Sequence, residues 1–251
     1  MASTTQTTPI VSPDPATEPI ELASAAITAA PSPRARSLEP EQRVVLRGID
    51  WDGFESILGI MGAQPGVRIT YDRGDLELMG TSLDHEAFKT LLGRLVETIT
   101  QELRIPCKGL GSMTWRKQNA DRGLESDECY YIASFPRIRG KKTIDLNVDP
   151  APDLAIEVEI SYSILDRMGI YAALAVPEIW RFDGRTLRIE QLQADGTYTQ
   201  ADASLSFPFL RPAEVVEWLH RAETLEDDSE WGYQLSQWVR AELAPRLERQ
   251  P

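Results

Sequence analysis

The chain has 251 residues, enough for one large domain or two small ones, with 42% hydrophobic and 26% charged residues, as in ordinary globular proteins. No apolar run approaches the roughly 18 to 20 residues that cross a bilayer, which excludes a spanning helix. A formal charge of −13 opposes approach to nucleic acid, so contact with phosphate needs a local basic patch or a cation.

The N-terminus carries no basic stretch followed by an apolar core, so no secretory signal is expected. Cys107 and Cys129 have neither CxxC spacing nor neighbouring histidines. They suggest no zinc site and no disulfide framework, and the cytoplasm is the expected compartment.

Residues 1–37 are rich in Ala, Thr, Ser and Pro and hold no aromatic residue. Such a segment buries too little to offset its ordering entropy, and a disordered tail is expected. A domain over 38–211 and helices over 212–251 follow, in an α/β (α+β) arrangement. Val44–Leu46 reads as a short strand, and Asp50 to Met61 as a helix with apolar positions 54, 57, 58 and 61 in one stripe. Val67–Tyr71 and Leu76–Met79 alternate around Asp72-Arg73-Gly74-Asp75, which predicts a hairpin. Ser82 or Asp84 opens the strongest helix, in which Phe88, Leu91, Leu92, Leu95, Val96, Ile99 and Leu103 fall at three- and four-residue steps. His85 and Glu86 lie in its first turn, where a carboxylate suits the helix dipole.

One strand is expected from Cys107 to Lys117, a turn over Asn119–Gly123, and another strand from Leu124 to Ile132. In that second strand Asp127, Cys129 and Tyr131 share a face. Arg137-Ile138-Arg139-Gly140-Lys141-Lys142 is the densest basic cluster, read as a solvated loop ahead of a phosphate contact. Ser163 to Leu174 reads as a helix with Ser163 as its cap. Glu178–Phe182, Thr186–Leu192 and Thr197–Thr199 form a meander turning at Asp183-Gly184 and Asp195-Gly196. Pro212 opens a helix through Leu219, and a last helix carries Trp231, Leu235, Trp238, Val239 and Leu243, with its tryptophans as core or interface anchors.

The stretch from Pro152 to Ser161 carries the chemistry. With side chains alternating, Asp153, Ala155, Glu157 and Glu159 line one face and Leu154, Ile156, Val158 and Ile160 the other. The apolar face packs on a core. The acidic face is either solvated or holds a hard cation, since Mg²⁺ takes one or two carboxylates plus water and substrate phosphate. About thirty residues separate Asp127 from Glu157, enough for two neighbouring strands and a loop. At an interstrand spacing of roughly 4.8 Å, like-facing carboxylates then come within reach of one metal ion. Such an ion orients water and neutralises charge in phosphodiester cleavage. A two-carboxylate glycosidase would need acids flanking a sugar cleft, which nothing in the sequence marks.

Several stretches together resemble the Uma family of restriction-endonuclease-like proteins within the PD-(D/E)XK nuclease superfamily. They are Leu76-Glu77-Leu78-Met79-Gly80 with Asp84-His85, Glu125-Ser126-Asp127, Pro152-Asp153-Leu154-Ala155-Ile156-Glu157-Val158, and Tyr171-Ala172-Ala173-Leu174-Ala175-Val176-Pro177-Glu178-Ile179-Trp180. The resemblance covers roughly residues 43 to 200 and implies a restriction-endonuclease-like mixed β-sheet flanked by helices, with an N-terminal hairpin and C-terminal helices. It also implies a Mg²⁺ (or Mn²⁺) site and DNA as substrate. Asp127 matches the motif aspartate and Glu157 the first acid of the (D/E)XK strand, both as metal ligands. The family's lysine falls at Glu159, read as a ligand or water-positioning base, and related sequences carry a lysine where this chain has Arg167. Arg167 is then a phosphate contact and Glu86 an auxiliary acid. Arginine is not interchangeable with lysine as a proton shuttle, and Ser126 replaces the usual proline. The alternative is a catalytically inactive nuclease scaffold that acts as a binding module or homodimerises through its Trp-bearing C-terminal helices.

Overall fold

The computed structural model describes residues 41–62, 66–225 and 227–249. The tail expected over 1–37 lies outside the described residues. In chain order the elements begin with β1 (Arg43–Arg47), α1 (Trp51–Met61), β2 (Val67–Asp72), β3 (Asp75–Gly80) and α2 (Leu83–Glu102). Next come β4 (Lys108–Gly109), β5 (Thr114–Lys117), β6 (Arg122–Glu125), β7 (Glu128–Tyr131), α3 (Phe135–Ile138) and β8 (Leu154–Val158). The last are α4 (Arg167–Leu174), β9 (Glu178–Phe182), β10 (Leu187–Leu192), β11 (Tyr198–Ala201), α5 (Pro212–Ala222), α6 (Asp228–Trp238) and α7 (Ala244–Glu248).

The expected mixed α+β architecture is found, but its strands form two sheets rather than one. β1-β3-β2-β6-β5 make an antiparallel sheet, and β11-β10-β9-β8-β7-β4 make a mixed one in which β8 and β9 run parallel. A parallel pair needs a crossover, and α4 supplies it. The predicted hairpin forms as β2 and β3 around Arg73 (φ 48°) and Gly74 (φ 99°), two positive-φ residues that match the twist of the flanking strands.

Two expectations of a continuous strand fail for one reason, the passage of the chain between sheets. The strand read over Cys107–Lys117 is two, with β4 in the mixed sheet and β5 in the antiparallel one. The strand read over Leu124–Ile132 likewise breaks between β6 and β7, leaving Ser126 and Asp127 at the crossing. The helix read from Ser163 begins only at Arg167, capped by Asp166, whose side chain accepts from Gly169 N–H. The Ser163 hydroxyl instead donates to Glu77. The basic stretch from Arg137 starts inside the short α3, and its Lys141 is paired with Asp149.

β8 divides the interior. Leu154, Ile156 and Val158 join α2, β9, β10, α5 and α6 in one core, which also takes Trp218, Trp231, Leu235, Val239 and Leu243 from the C-terminal helices. On the opposite face, Ala155 packs with Trp115, Leu124, Cys129, Tyr131, Ile170, Tyr171 and Ile179. A third cluster seats α1 on the antiparallel sheet through Phe54, Ile69, Tyr71 and Leu76, with the Phe54 and Tyr71 rings stacked at 4.5 Å. All five residues of β8 are buried, so the solvated reading of its acidic face is wrong for Glu157. Asp153, just before the strand, accepts from the Ile132 and Ser134 N–H groups at 2.6 and 2.8 Å, a structural role.

Candidate active site

The crossing between the sheets places Asp127 against the end of β8. Its N–H donates to the Ile156 carbonyl at 3.2 Å, and its Oδ2 accepts from Val158 N–H at 2.7 Å. Its Oδ1 faces His85 Nε2 at 2.9 Å and Arg68 Nε at 3.1 Å. Glu157, the last residue but one of β8, turns its Oε1 to Arg167 Nη2 at 2.5 Å and to the Tyr171 hydroxyl. Its Oε2 meets Arg68 Nη2. Arg68 therefore bridges the two acids, using Nε for one and Nη2 for the other. The expected convergence of Asp127 and Glu157 on one side of the mixed sheet is present, and an arginine lies between them.

The surrounding elements explain this geometry. Arg68 and Thr70 project from one side of β2 while Ile69 and Tyr71 project from the other onto α1, so the hairpin aims a guanidinium at β8. Ser82 caps α2 by accepting from His85 N–H at 3.1 Å, which fixes the first turn and directs the imidazole inward. α4 carries Arg167 at its first position and Tyr171 one turn later on the same side. Arg167 also donates to Thr70 Oγ1 at 2.5 Å and the Glu125 carbonyl at 2.8 Å, tying α4 to β2 and β6 of the antiparallel sheet.

The network is nearly dry, with the side chains of Arg68, Asp127 and Glu157 7%, 1% and 3% exposed. Burial alone would raise the Asp127 pKa, but the Arg68 charge and the His85 and Val158 hydrogen bonds hold it well below the usual carboxylate range. Burial alone would lower that of His85. Its contacts with Asp127 and with Glu41, whose Oε1 lies 2.8 Å from Nδ1, raise it to about 9. His85 is thus an imidazolium near neutrality, donating from Nε2 to Asp127 while Nδ1 lies within ion-pair range of Glu41. Burial also opposes the charge on Arg68, and the adjacent Asp127 and Glu157 outweigh it, pushing the guanidinium pKa further up. Burial and the Glu157 charge keep Tyr171 a neutral donor. Asp127, Glu157 and Glu41 thus stand against Arg68, Arg167 and His85, and the cluster is close to electroneutral.

The other expected site residues lie around this network. The Glu159 carboxylate pairs with Arg181 Nε at 2.8 Å and Arg188 Nη2 at 3.3 Å, and shares no partner with Glu157. Glu86 lies on α2, pairs with Lys89 at 3.3 Å, and lines a groove of about 410 Å³ together with Arg68, Lys89, Ser112 and Glu125. A smaller cavity of about 140 Å³ is lined by Arg68, Glu157, Glu159, Arg167 and Arg181. Arg68, His85, Glu41 and Tyr171 received no role from the sequence. Alternation along β2 sets Arg68 with Thr70 opposite Val67, Ile69 and Tyr71, on the face a sequence reading assigns to solvent, so its burial had no local signal.

Asp127 and Glu157 supply the hard oxygen donors that Mg²⁺ takes. Every one of their four carboxylate oxygens, however, already accepts from an N–H or O–H group. Among the described residues no set of three or more His, Cys, Asp or Glu side chains is arranged to hold a metal ion. In this arrangement the acid pair does not fit a divalent cation.

A family model described as "Uma2: Putative restriction endonuclease" matches residues 51–223. A solved structure described as a putative nuclease belonging to DUF820, from Anabaena variabilis ATCC 29413, is 16% identical in sequence, with a TM-score of 0.42 over 60% of this chain and 90% of that one. No curated protein matches the chain. The matched segment runs from α1 through α5 and encloses Arg68, His85, Asp127, Glu157 and Arg167, well over half of the chain. On that match the chain belongs to the Uma2 family, described as putative restriction endonucleases.

Proposed function

We propose that this protein hydrolyses phosphodiester bonds of DNA, with Asp127 and Glu157 as its essential acids. The observation that carries the reading is the meeting of these two carboxylates, one from the sheet crossing and one from β8, on Arg68, which also lines the groove with Glu86, Lys89 and Glu125. Arg68 and Arg167 suit the charge that builds on a phosphorane, because a guanidinium fork pairs with two phosphate oxygens at once. Glu86 lines the groove, which supports a role for it in proton transfer through water. The divalent dependence implied by the family then requires the Arg68 bridge to give way.

The test is incubation of the full chain with plasmid and linear DNA in Mg²⁺ or Mn²⁺. Strand breaks are expected, with the rate reduced at least about hundredfold in Asp127→Asn and Glu157→Gln variants shown to be folded by circular dichroism. Breaks that persist unchanged in both variants would overturn the assignment.

A second reading, a nuclease scaffold that binds without cutting, is favoured by the full commitment of the acid oxygens and by Glu159 standing where a cationic stabiliser is needed. Uncut DNA, together with measurable binding, supports that reading. Homodimerisation through the C-terminal helices belongs with it. Trp218 and Trp231 are buried in the chain's own core, leaving Tyr233 as the exposed aromatic of α6 for such a contact. Sedimentation equilibrium reads the mass directly. The free thiols Cys107 and Cys129 suit the reducing cytoplasm as the proposed compartment. No described helix is long and apolar enough to cross a membrane.

A further inference from the structure

We infer that Arg68 is a built-in counter-ion occupying the position between Asp127 and Glu157, so that in the protein without nucleic acid the acid pair is closed to divalent cations. Removing that side chain opens the site. The inference rests on the placement of the two acids, not on whether the protein cuts DNA.

The geometry supports it at each atom. Arg68 Nε lies 3.1 Å from Asp127 Oδ1, Nη2 pairs with Glu157 Oε2, and Nη1 lies 3.5 Å from the Val158 carbonyl. One planar group thus spans a carboxylate on the sheet crossing, a carboxylate on β8 and a backbone oxygen, which is an all-oxygen set of the kind a hard cation takes. Asp127 and Glu157 would bring two negative charges to that position, and Arg68 returns one positive charge that cannot be lost by deprotonation. Arg167 on Glu157 Oε1 and His85 Nε2 on Asp127 Oδ1 occupy the neighbouring carboxylate positions. A divalent ion entering this cluster would gain little net attraction and would have to displace a buried guanidinium from two carboxylates. With Arg68 replaced by an apolar side chain of similar reach, the same pocket regains a net negative charge and freed Oδ1 and Oε2 lone pairs. Its wall is β2, whose position is held independently by pairing with β3 and β6.

The experiment is Mn²⁺ titration of the full chain, without nucleic acid, by calorimetry and by the electron paramagnetic resonance signal of free Mn²⁺. The proteins compared are wild type, Arg68→Met, Arg68→Gln, and Arg68→Met combined with Glu157→Gln. Wild type is expected to show no saturable site at millimolar Mn²⁺. Each folded single variant is expected to gain one, at least about tenfold tighter than any wild-type binding. The combined variant loses it again. Saturable wild-type binding that disappears in Glu157→Gln would overturn the inference, as would folded Arg68 variants that bind no Mn²⁺. If neither Arg68 variant folds, the wild-type titration decides, because saturable binding refutes the closed site and its absence supports it. Cleavage by wild type does not enter this outcome, since a DNA phosphate offers Arg68 a competing bidentate partner.

Discussion

His85 illustrates how a single buried side chain couples folding to pH. Its folded-state pKa of about 9 lies above the ordinary value of 6.5, so the folded protein holds a proton that the unfolded chain releases between those values. The stabilisation is therefore fully present below pH 6.5 and lost as pH rises through about 9. The shift corresponds to at most about 3 kcal/mol. Melting temperature is expected to fall between pH 6.5 and 9 in wild type, and this slope should flatten in His85→Gln, measured by calorimetric scans across that range. A His85→Gln protein with an unchanged slope would remove His85 as the source. Asp127 behaves oppositely. Its pKa is depressed, so its contribution is present above the unfolded value near ~3.9 and is lost as acid titrates it in the folded state.

At the scale of elements, the site depends on how closely α1 and the antiparallel sheet approach, because β2 carries Arg68 on one side and packs on α1 with the other. Gly123 in β6 permits that approach. A Cβ there would lie 3.0 Å from Phe54 Cζ and 3.1 Å from Arg116 Cβ, closer than a packed core tolerates without movement. Gly123→Ala is expected to destabilise the fold by about 1–3 kcal/mol in urea unfolding, with Phe54→Leu in the same background recovering part of the loss. Equal losses in the single and double variants would mean the strain lies elsewhere. The C-terminal helices show a related accommodation. The helix continues from α6 to α7 through a π-helical turn over Val239–Leu243, next to Pro245, which has no N–H to offer a preceding carbonyl. The turn keeps Val239 and Leu243 both buried against the main core.

Over the whole molecule, a net charge of −13 confronts the proposed DNA substrate. Any binding then depends on a few cations at the groove, and Lys89, part of its lining, is the one not committed inside the buried network. DNA affinity is expected to fall steeply as salt rises. Lys89→Ala is expected to weaken binding several-fold and reduce the slope of log affinity against log salt by about 1. Fluorescence anisotropy over a salt series checks this, and an unchanged slope would place the DNA on another surface. The two sheets also act as a unit here. One supplies Arg68 and Thr70, the other supplies Glu157, and Asp127 lies where the chain crosses between them.

Local physics made much of this protein legible in its sequence. The 3.6-residue spacing of Phe88 through Leu103, the Arg73-Gly74 turn and the alternation of Leu154, Ile156 and Val158 each depend on near neighbours, and each is found. The pairing of Asp127 with Glu157 was also readable, since both belong to strand-like stretches about thirty residues apart. Tertiary structure decided the rest. Nothing local marks a strand that changes sheets at Ser126, because both halves alternate alike. Nothing near Glu157 in sequence announces Arg68, which lies 89 residues away, or His85, 42 residues from Asp127. A buried charge is stable only beside its opposite, and which cation comes to which acid is set by the packing of separate elements. That packing is what turned an expected metal-binding pair into an arginine-bridged one.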